Sequence, residues 1–151
     1  MLDILKVALL SILPISELRG GIPLGLVLGL DAVTVFVTAV IFNLLSIPLV
    51  YFFLDNIHSR LLKYNKYKKF FENYINKKRS KIENKIGTRT EFIALMLFVC
   101  VPIPGTGAWT GSVLAWFFNM KRKKAYLAIS LGVIIAGIIV TLASLGLIAL
   151  F

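Results

Sequence analysis

Apolar residues fall into four long blocks, roughly 1–30, 31–54, 92–118 and 125–151. Block 31–54 reaches about 36 Å as a helix, enough to cross a hydrocarbon core of about 30 Å. Block 125–151 is equally apolar, and its Gly132, Gly137 and Gly146 suit close helix packing. Both predict spanning helices, the first with a kink near Pro48. The other two blocks are interrupted. Val101-Pro102-Ile103-Pro104-Gly105-Thr106-Gly107 splits block 92–118, because each interior proline costs a helix about 3 kcal/mol and each glycine about 1. Pro14-Ile15-Ser16-Glu17-Leu18-Arg19-Gly20-Gly21-Ile22-Pro23-Leu24-Gly25 interrupts block 1–30 in the same way.

Charge then orients the blocks. Only 16% of residues are charged, yet the formal net charge is +10. Eleven bases against four acids lie between Asp55 and Glu91, and Lys121, Arg122, Lys123 and Lys124 follow the third block. Basic segments stay cytoplasmic, so block 92–118 begins and ends on the same side and must enter the membrane and return. The arm 92–101 gives about 15 Å of helix, roughly half a bilayer. In the first half the same logic runs upside down. Helix 31–54 ends in the cytoplasm, so it starts outside near Asp31, and block 1–30 is the matching hairpin.

The expected fold is therefore all-α and integral to the membrane, in a single domain 1–151. Two inverted repeats, 1–54 and 92–151, each pair a re-entrant helical hairpin with a transmembrane helix. An alternative topology makes 1–13 and 22–54 ordinary spans, with Glu17 and Arg19 at the surface. Between the repeats, Ile57, Leu61, Tyr64, Tyr67, Phe71, Tyr74, Ile75, Ile82 and Ile86 recur among lysines at near-helical spacing. Segment 55–91 thus reads as basic and amphipathic, lying on the anionic cytoplasmic leaflet. The apolar runs make that leaflet, and not nucleic acid, the partner of the excess charge. The first block lacks a basic n-region and a small-x-small cleavage site, so no removed signal peptide is expected.

The hydrophobic fraction of 58% and mean hydropathy of +0.87 exceed those of soluble domains and put every candidate site inside the bilayer. Glu17 and Arg19 are the sharpest signal. An ionisable side chain near mid-bilayer costs at least about 2.5–3.5 kcal/mol, so it faces a partner or a water-filled cavity. Glu17 is the candidate proton or sodium coupling site, and Arg19 offers a fork suited to phosphate. An internal ion pair that only pins the hairpin is the simpler reading. Gly20, Gly21 and Pro23 stand beside them, where freed backbone groups can meet a ligand.

The second break holds Pro102, Pro104, Gly105, Thr106, Gly107 and Trp109 and carries no charge. A half-helix starting near Gly107 points a positive dipole end at the midplane, which favours an anion. Trp109 either stacks on a substrate or packs the hairpins together, and Trp116 reads as an interfacial anchor. Asn43 lies mid-span, where an amide bonds a neighbouring helix or lines a pathway. The lone Cys100 reads as a packing residue. The sequence offers no nucleophile–base pair, metal-spaced His/Cys cluster or nucleotide loop, so neither an enzyme, a metal nor a cofactor is expected.

Ser16-Glu17-Leu18-Arg19-Gly20-Gly21-Ile22-Pro23 and Pro102-Ile103-Pro104-Gly105-Thr106-Gly107 resemble the small multidrug export family of bacterial membrane proteins. That family is similar in turn to the DedA-like superfamily, with its two opposed re-entrant hairpins. The resemblance implies a transporter of the bacterial inner membrane. Glu17 matches the acidic hairpin residue of the DedA-like pattern, whereas Gly105, Thr106, Gly107 and Trp109 stand where those proteins carry arginines. The expected function is proton- or cation-coupled export of small molecules by a homodimer. Flipping of a polyprenyl-phosphate lipid carrier is the second reading. A non-transporting protein that recruits partners through 56–91 is the third.

Overall fold

A computed structural model describes residues 2–61, 69, 89–103 and 105–150. Six helices make up these residues: α1 (Leu2–Ile12), α2 (Glu17–Val27), α3 (Ala32–Leu61), α4 (Arg89–Cys100), α5 (Ala108–Phe117) and α6 (Arg122–Leu150). There is no strand among them. Most of the basic amphipathic segment expected at 55–91 lies outside the described residues, as does Pro104.

α3 and α6 are long and apolar enough to cross a membrane. On α3, Val33, Val37, Ile41, Leu45 and Leu49 form an exposed stripe at four-residue steps. Opposite them Val35, Ala39, Asn43, Ile47 and Tyr51 are buried. A helix that is apolar on its exposed face as well as its packed one suits hydrocarbon, not water. α3 continues as one helix through Pro48.

The remaining helices come in two short pairs. α1 and α2 flank a break at 13–16, and α4 and α5 flank one at 101–107. Each helix is 10 to 12 residues long, about 15–18 Å, or half a hydrocarbon core. The second break falls where the prolines and glycines predict. The first is narrower than predicted: Gly20, Gly21 and Pro23 lie inside α2. The glycines serve packing there. A Cβ on Gly21 would meet Ser11 and the Val7 carbonyl of α1, and one on Gly25 would meet Val7 and Val35. The chain turns between α2 and α3 at Gly29 (φ 76°), so 22–54 is not one continuous helix.

The two halves pack alike. α1 packs on α2 and α3 as α4 does on α5 and α6, and α2 packs on α3 as α5 does on α6. Across the halves, α2 meets α6 as α5 meets α3, and α3 meets α6. The turns agree in detail too. Leu28, Gly29 and Leu30 donate to the carbonyls of Leu24, Leu26 and Gly25. Ninety positions on, Phe118, Asn119 and Met120 donate to Leu114, Trp116 and Ala115. Both turns are Schellman closures, with Gly29 and Asn119 (φ 55°) in the left-handed position.

The helices approach closely at small residues. Gly132 of α6 lies against Val99 and the Met96 carbonyl of α4, Gly111 of α5 against Val99, and Gly137 of α6 against Phe36 of α3. Without a hydrophobic drive between helices in lipid, such contacts supply the packing energy.

Candidate functional site

The two breaks meet. Glu17, the first residue of α2, has its side chain 7% exposed and its Oε1 accepts from the Trp109 backbone N–H at 3.2 Å. Trp109 is the second residue of α5, so Glu17 caps the N-terminus of a helix far from it in sequence. Its carboxylate therefore sits at the junction of two helix N-termini, each worth roughly half a positive charge. Gly107 makes the approach possible, since a Cβ there would overlap the carboxylate. The Glu17 backbone is left-handed (φ 47°), a conformation costing a non-glycine residue roughly 1–2 kcal/mol. Strain of this kind gathers where a side chain must be aimed.

Arg19 lies one step further into α2. Its Nη2 stands 3.7 Å from Glu17 Oε2 and donates to Thr106 Oγ1 at 3.3 Å. Its Nη1 donates to the Ile103 carbonyl. The guanidinium thus ties the charged first break to the uncharged second one. Thr106 Oγ1 in turn donates to Val101 O at 2.7 Å, with Ile103 O at 2.8 Å as its other acceptor. Gly105 takes a positive φ of 88°, which lets the chain reverse between Ile103 and Thr106; Thr106 N–H closes the turn on Ile103 O at 3.1 Å.

Trp109 Nε1 donates to the Ile12 carbonyl at the end of α1, at 2.9 Å. Its indole packs the two breaks together. Glu17, Arg19, Thr106, Gly107 and Trp109 are thus one constellation, and Pro102 and Gly105 shape the loop that presents it. Gly20 and Gly21 stand apart, within α2. A Cβ on Gly20 would meet Ser16, and Pro23 lies further along the helix. Asn43 is 1% exposed in α3, and its amide finds no partner among the described residues. Cys100 is buried and bonds the Leu97 carbonyl at 3.2 Å.

A second polar cluster had no local signal in the sequence. Asp55 near the end of α3 accepts from Trp116 Nε1 at 3.0 Å and from Arg122 Nη2 at 2.7 Å. Arg122 also lies over the Tyr51 ring at 5.5 Å, and Tyr51 meets Tyr126 edge-on at 5.2 Å. The partners are 61 and 67 positions from Asp55. One acid inside a basic run was the only hint. Trp116, read as an interfacial anchor, is half of this clamp.

No group of three or more His, Cys, Asp or Glu residues among the described residues could hold a metal ion. The constellation's chemistry is that of a buried carboxylate held by an arginine and a helix end. It can exchange a proton or a cation, and it can exchange its carboxylate for another anion.

A family model described as "Putative small multi-drug export protein" matches residues 17–139. No curated protein and no solved structure matches the chain. The matched stretch starts at Glu17, directly after the first break, and takes in the second break and most of α6. The chain belongs to that family, and its two long apolar helices suit the membrane.

Proposed function

We propose that this member of the small multi-drug export family is a multi-pass transporter of the bacterial inner membrane. It moves small molecules outward past the junction of the two breaks, coupled through Glu17 to protons or sodium ions. It uses no cofactor and catalyses no covalent reaction. The observation that carries the reading is the Glu17 carboxylate, buried between two helix N-termini and Arg19. An acid held at mid-membrane at such cost is a working group before it is a strut.

The topology proposed with it is two inverted repeats, each a re-entrant hairpin plus a spanning helix. Short helices of half-bilayer length and the matched packing of the two halves support it. So does the basic flank at Lys121–Lys124, which orients α6 from the cytoplasm. Interrupted helices at matching points of such repeats mark midplane sites in transporters. Two spanning helices enclose little, so the working unit is a homodimer. Crosslinking in native membranes should give a dimer band, and monomer alone would count against it.

The test is efflux of a lipophilic cation from liposomes holding the purified protein, driven by an imposed pH or sodium gradient. Glu17→Gln should abolish gradient-driven efflux while leaving the protein folded. Full efflux in that variant would overturn the reading. One observation favours a second substrate class. Two helix N-termini and a guanidinium make a site for an anion, such as the phosphate of a polyprenyl carrier lipid in a DedA-like role. Tight binding of a polyprenyl phosphate, lost in Arg19→Ala, would replace the cation as substrate.

A further inference from the structure

Among the described residues, four buried side-chain atoms meet no hydrogen-bond partner: Arg19 Nε, Asn43 Oδ1, Asn43 Nδ2 and Tyr51 Oη. Native structures seldom leave such atoms unmet, and each calls for an explanation. Asn43 is 1% and Tyr51 3% exposed.

Three of the four, those of Asn43 and Tyr51, belong to one face of α3. Val35, Ala39, Asn43, Ile47 and Tyr51 follow at four-residue steps and are all buried, so they form one line along α3. Val35 meets α2 at Gly25. At the other end Tyr51 meets Tyr126 and Arg122 of α6. Nearby, Trp116 of α5 bonds Asp55. α3 thus runs first along α2 and then along α5, which meet end to end at Glu17.

Depth follows from helical rise. From the turn at Gly29, α2 climbs about 15 Å to Glu17, and α3 climbs about 16 Å from Ala32 to Asn43. Asn43 therefore stands level with Glu17 and Arg19. Tyr51 lies about 12 Å further toward the basic end. Helical side chains lean toward the N-terminus, so the Tyr51 hydroxyl lies on the Asn43 side of its own backbone.

We propose that a file of water runs along this face of α3 from the Asp55–Arg122 end, past Tyr51 and Asn43, to the Glu17 carboxylate. The file carries protons between the basic end of the protein and Glu17. This inference rests on the reading of Glu17 as the coupling acid. Water fits because the unmet atoms are mixed. The Asn43 amide and the Tyr51 hydroxyl both donate and accept, whereas Arg19 Nε donates. A polar lining with several partners is what holds a buried water. In each transfer one O–H bond breaks as the next forms. The net change is one proton gained at Glu17 and one lost from water at the basic end.

Arg19 is the charged side chain acting on Glu17 among the described residues. Asp55 pairs with Arg122 at the entrance, and Asp3 with Lys6 at the start of α1. Asp31 caps α3 at its other end. Glu91 of α4 and Lys121, Lys123 and Lys124 beside the start of α6 lie at helix ends.

The test follows the Glu17 carboxyl band by infrared spectroscopy after a rapid pH jump, on the full-length protein in lipid. The band is assigned by its loss in Glu17→Gln. Asn43→Leu should slow protonation at least about tenfold, in line with the weight of one positioned relay group. Tyr51→Phe should slow it less, and Asn43→Gln, which keeps an amide, should restore most of the rate. Wild-type rates in both Asn43→Leu and Tyr51→Phe would overturn the path while leaving the coupling role of Glu17 intact. A wild-type rate joined to lost substrate binding in Asn43→Leu would assign the amide to substrate and also overturn it. Absence of any titrating Glu17 band in the wild type would sink the coupling reading, and the path with it.

Discussion

The two halves of the molecule share a backbone plan and divide the chemistry. At the register of ninety positions fixed by the two Schellman turns, Glu17 corresponds to Gly107, Arg19 to Trp109, Asn43 to Val133 and Asp31 to Lys121. The first half holds the acid, the base and the unmet amide. The second answers with a missing Cβ, an indole, a methyl-bearing side chain and exposed backbone. The first break is four residues long and carries the buried charge at its edge; the second is longer, uncharged and lined by carbonyls and a hydroxyl. The difference teaches that one half need not repeat the other to complete a site. Gly107 is the counterpart of Glu17, and its emptiness is where the Glu17 carboxylate fits.

That complementarity can be broken from the second half. Gly107→Val should push the carboxylate off the start of α5, ending transport and lowering stability by about 3 kcal/mol, as overpacking of a tight contact does. Chemical unfolding in detergent and liposome efflux measure the two effects. The double variant Gly107→Ala with Glu17→Ala should recover stability beyond the sum of its single changes, because the clash needs both partners, but not transport. Trp109→Phe keeps the ring and loses the bond to Ile12, so a stability loss of about 1–2 kcal/mol is expected in the same assay.

Making the first half resemble the second should help stability where it harms function. Asn43→Val installs the residue of its counterpart and replaces two buried polar atoms that bond only water in the proposed file with apolar packing. Unfolding should become harder by about 1 kcal/mol while Glu17 protonation slows. The smallest effect lies at the turns. Asp31 accepts from Thr34 N at 2.9 Å and Thr34 Oγ1 at 3.0 Å. The Thr34 backbone N–H, followed by its hydroxyl, holds the Asp31 carboxyl below its ordinary value of 3.8. A depressed folded-state value means the stabilisation is fully present above about pH 4 and fades as the pH falls through the lowered value. Thermal melts of wild type and Asp31→Asn should therefore differ slightly at neutral pH and converge in acid.

Much of this was legible in the chain. The two long apolar helices follow from unbroken apolar length, and the second break from Pro102, Gly105 and Gly107, whose backbone demands are local. The first break was drawn too wide. Gly20, Gly21 and Pro23 carry the same composition signal but lie in a helix, because Gly21 faces Ser11 and a packed neighbour overrides propensity. Glu17, Arg19 and Trp109 were singled out by residue type. Their partnership was not readable, since it joins positions 92 apart. The likeness of the two halves lies in backbone geometry and packing more than in residue identity. Gly21 and Gly111 still match, while Gly29 and Asn119 share only a left-handed backbone.

The span between Glu17 and Trp109 also sets an order on biosynthesis. At about 5–20 residues per second, a ribosome takes several seconds to pass from one to the other. During that interval the first hairpin holds an acid whose capping amide has not yet been made, and Arg19 is its nearest counter-charge. The N-terminal half can therefore reach the membrane early, but it is finished only when the C-terminal half arrives. A nascent chain stalled before Gly107 should be the form that quality-control proteases see.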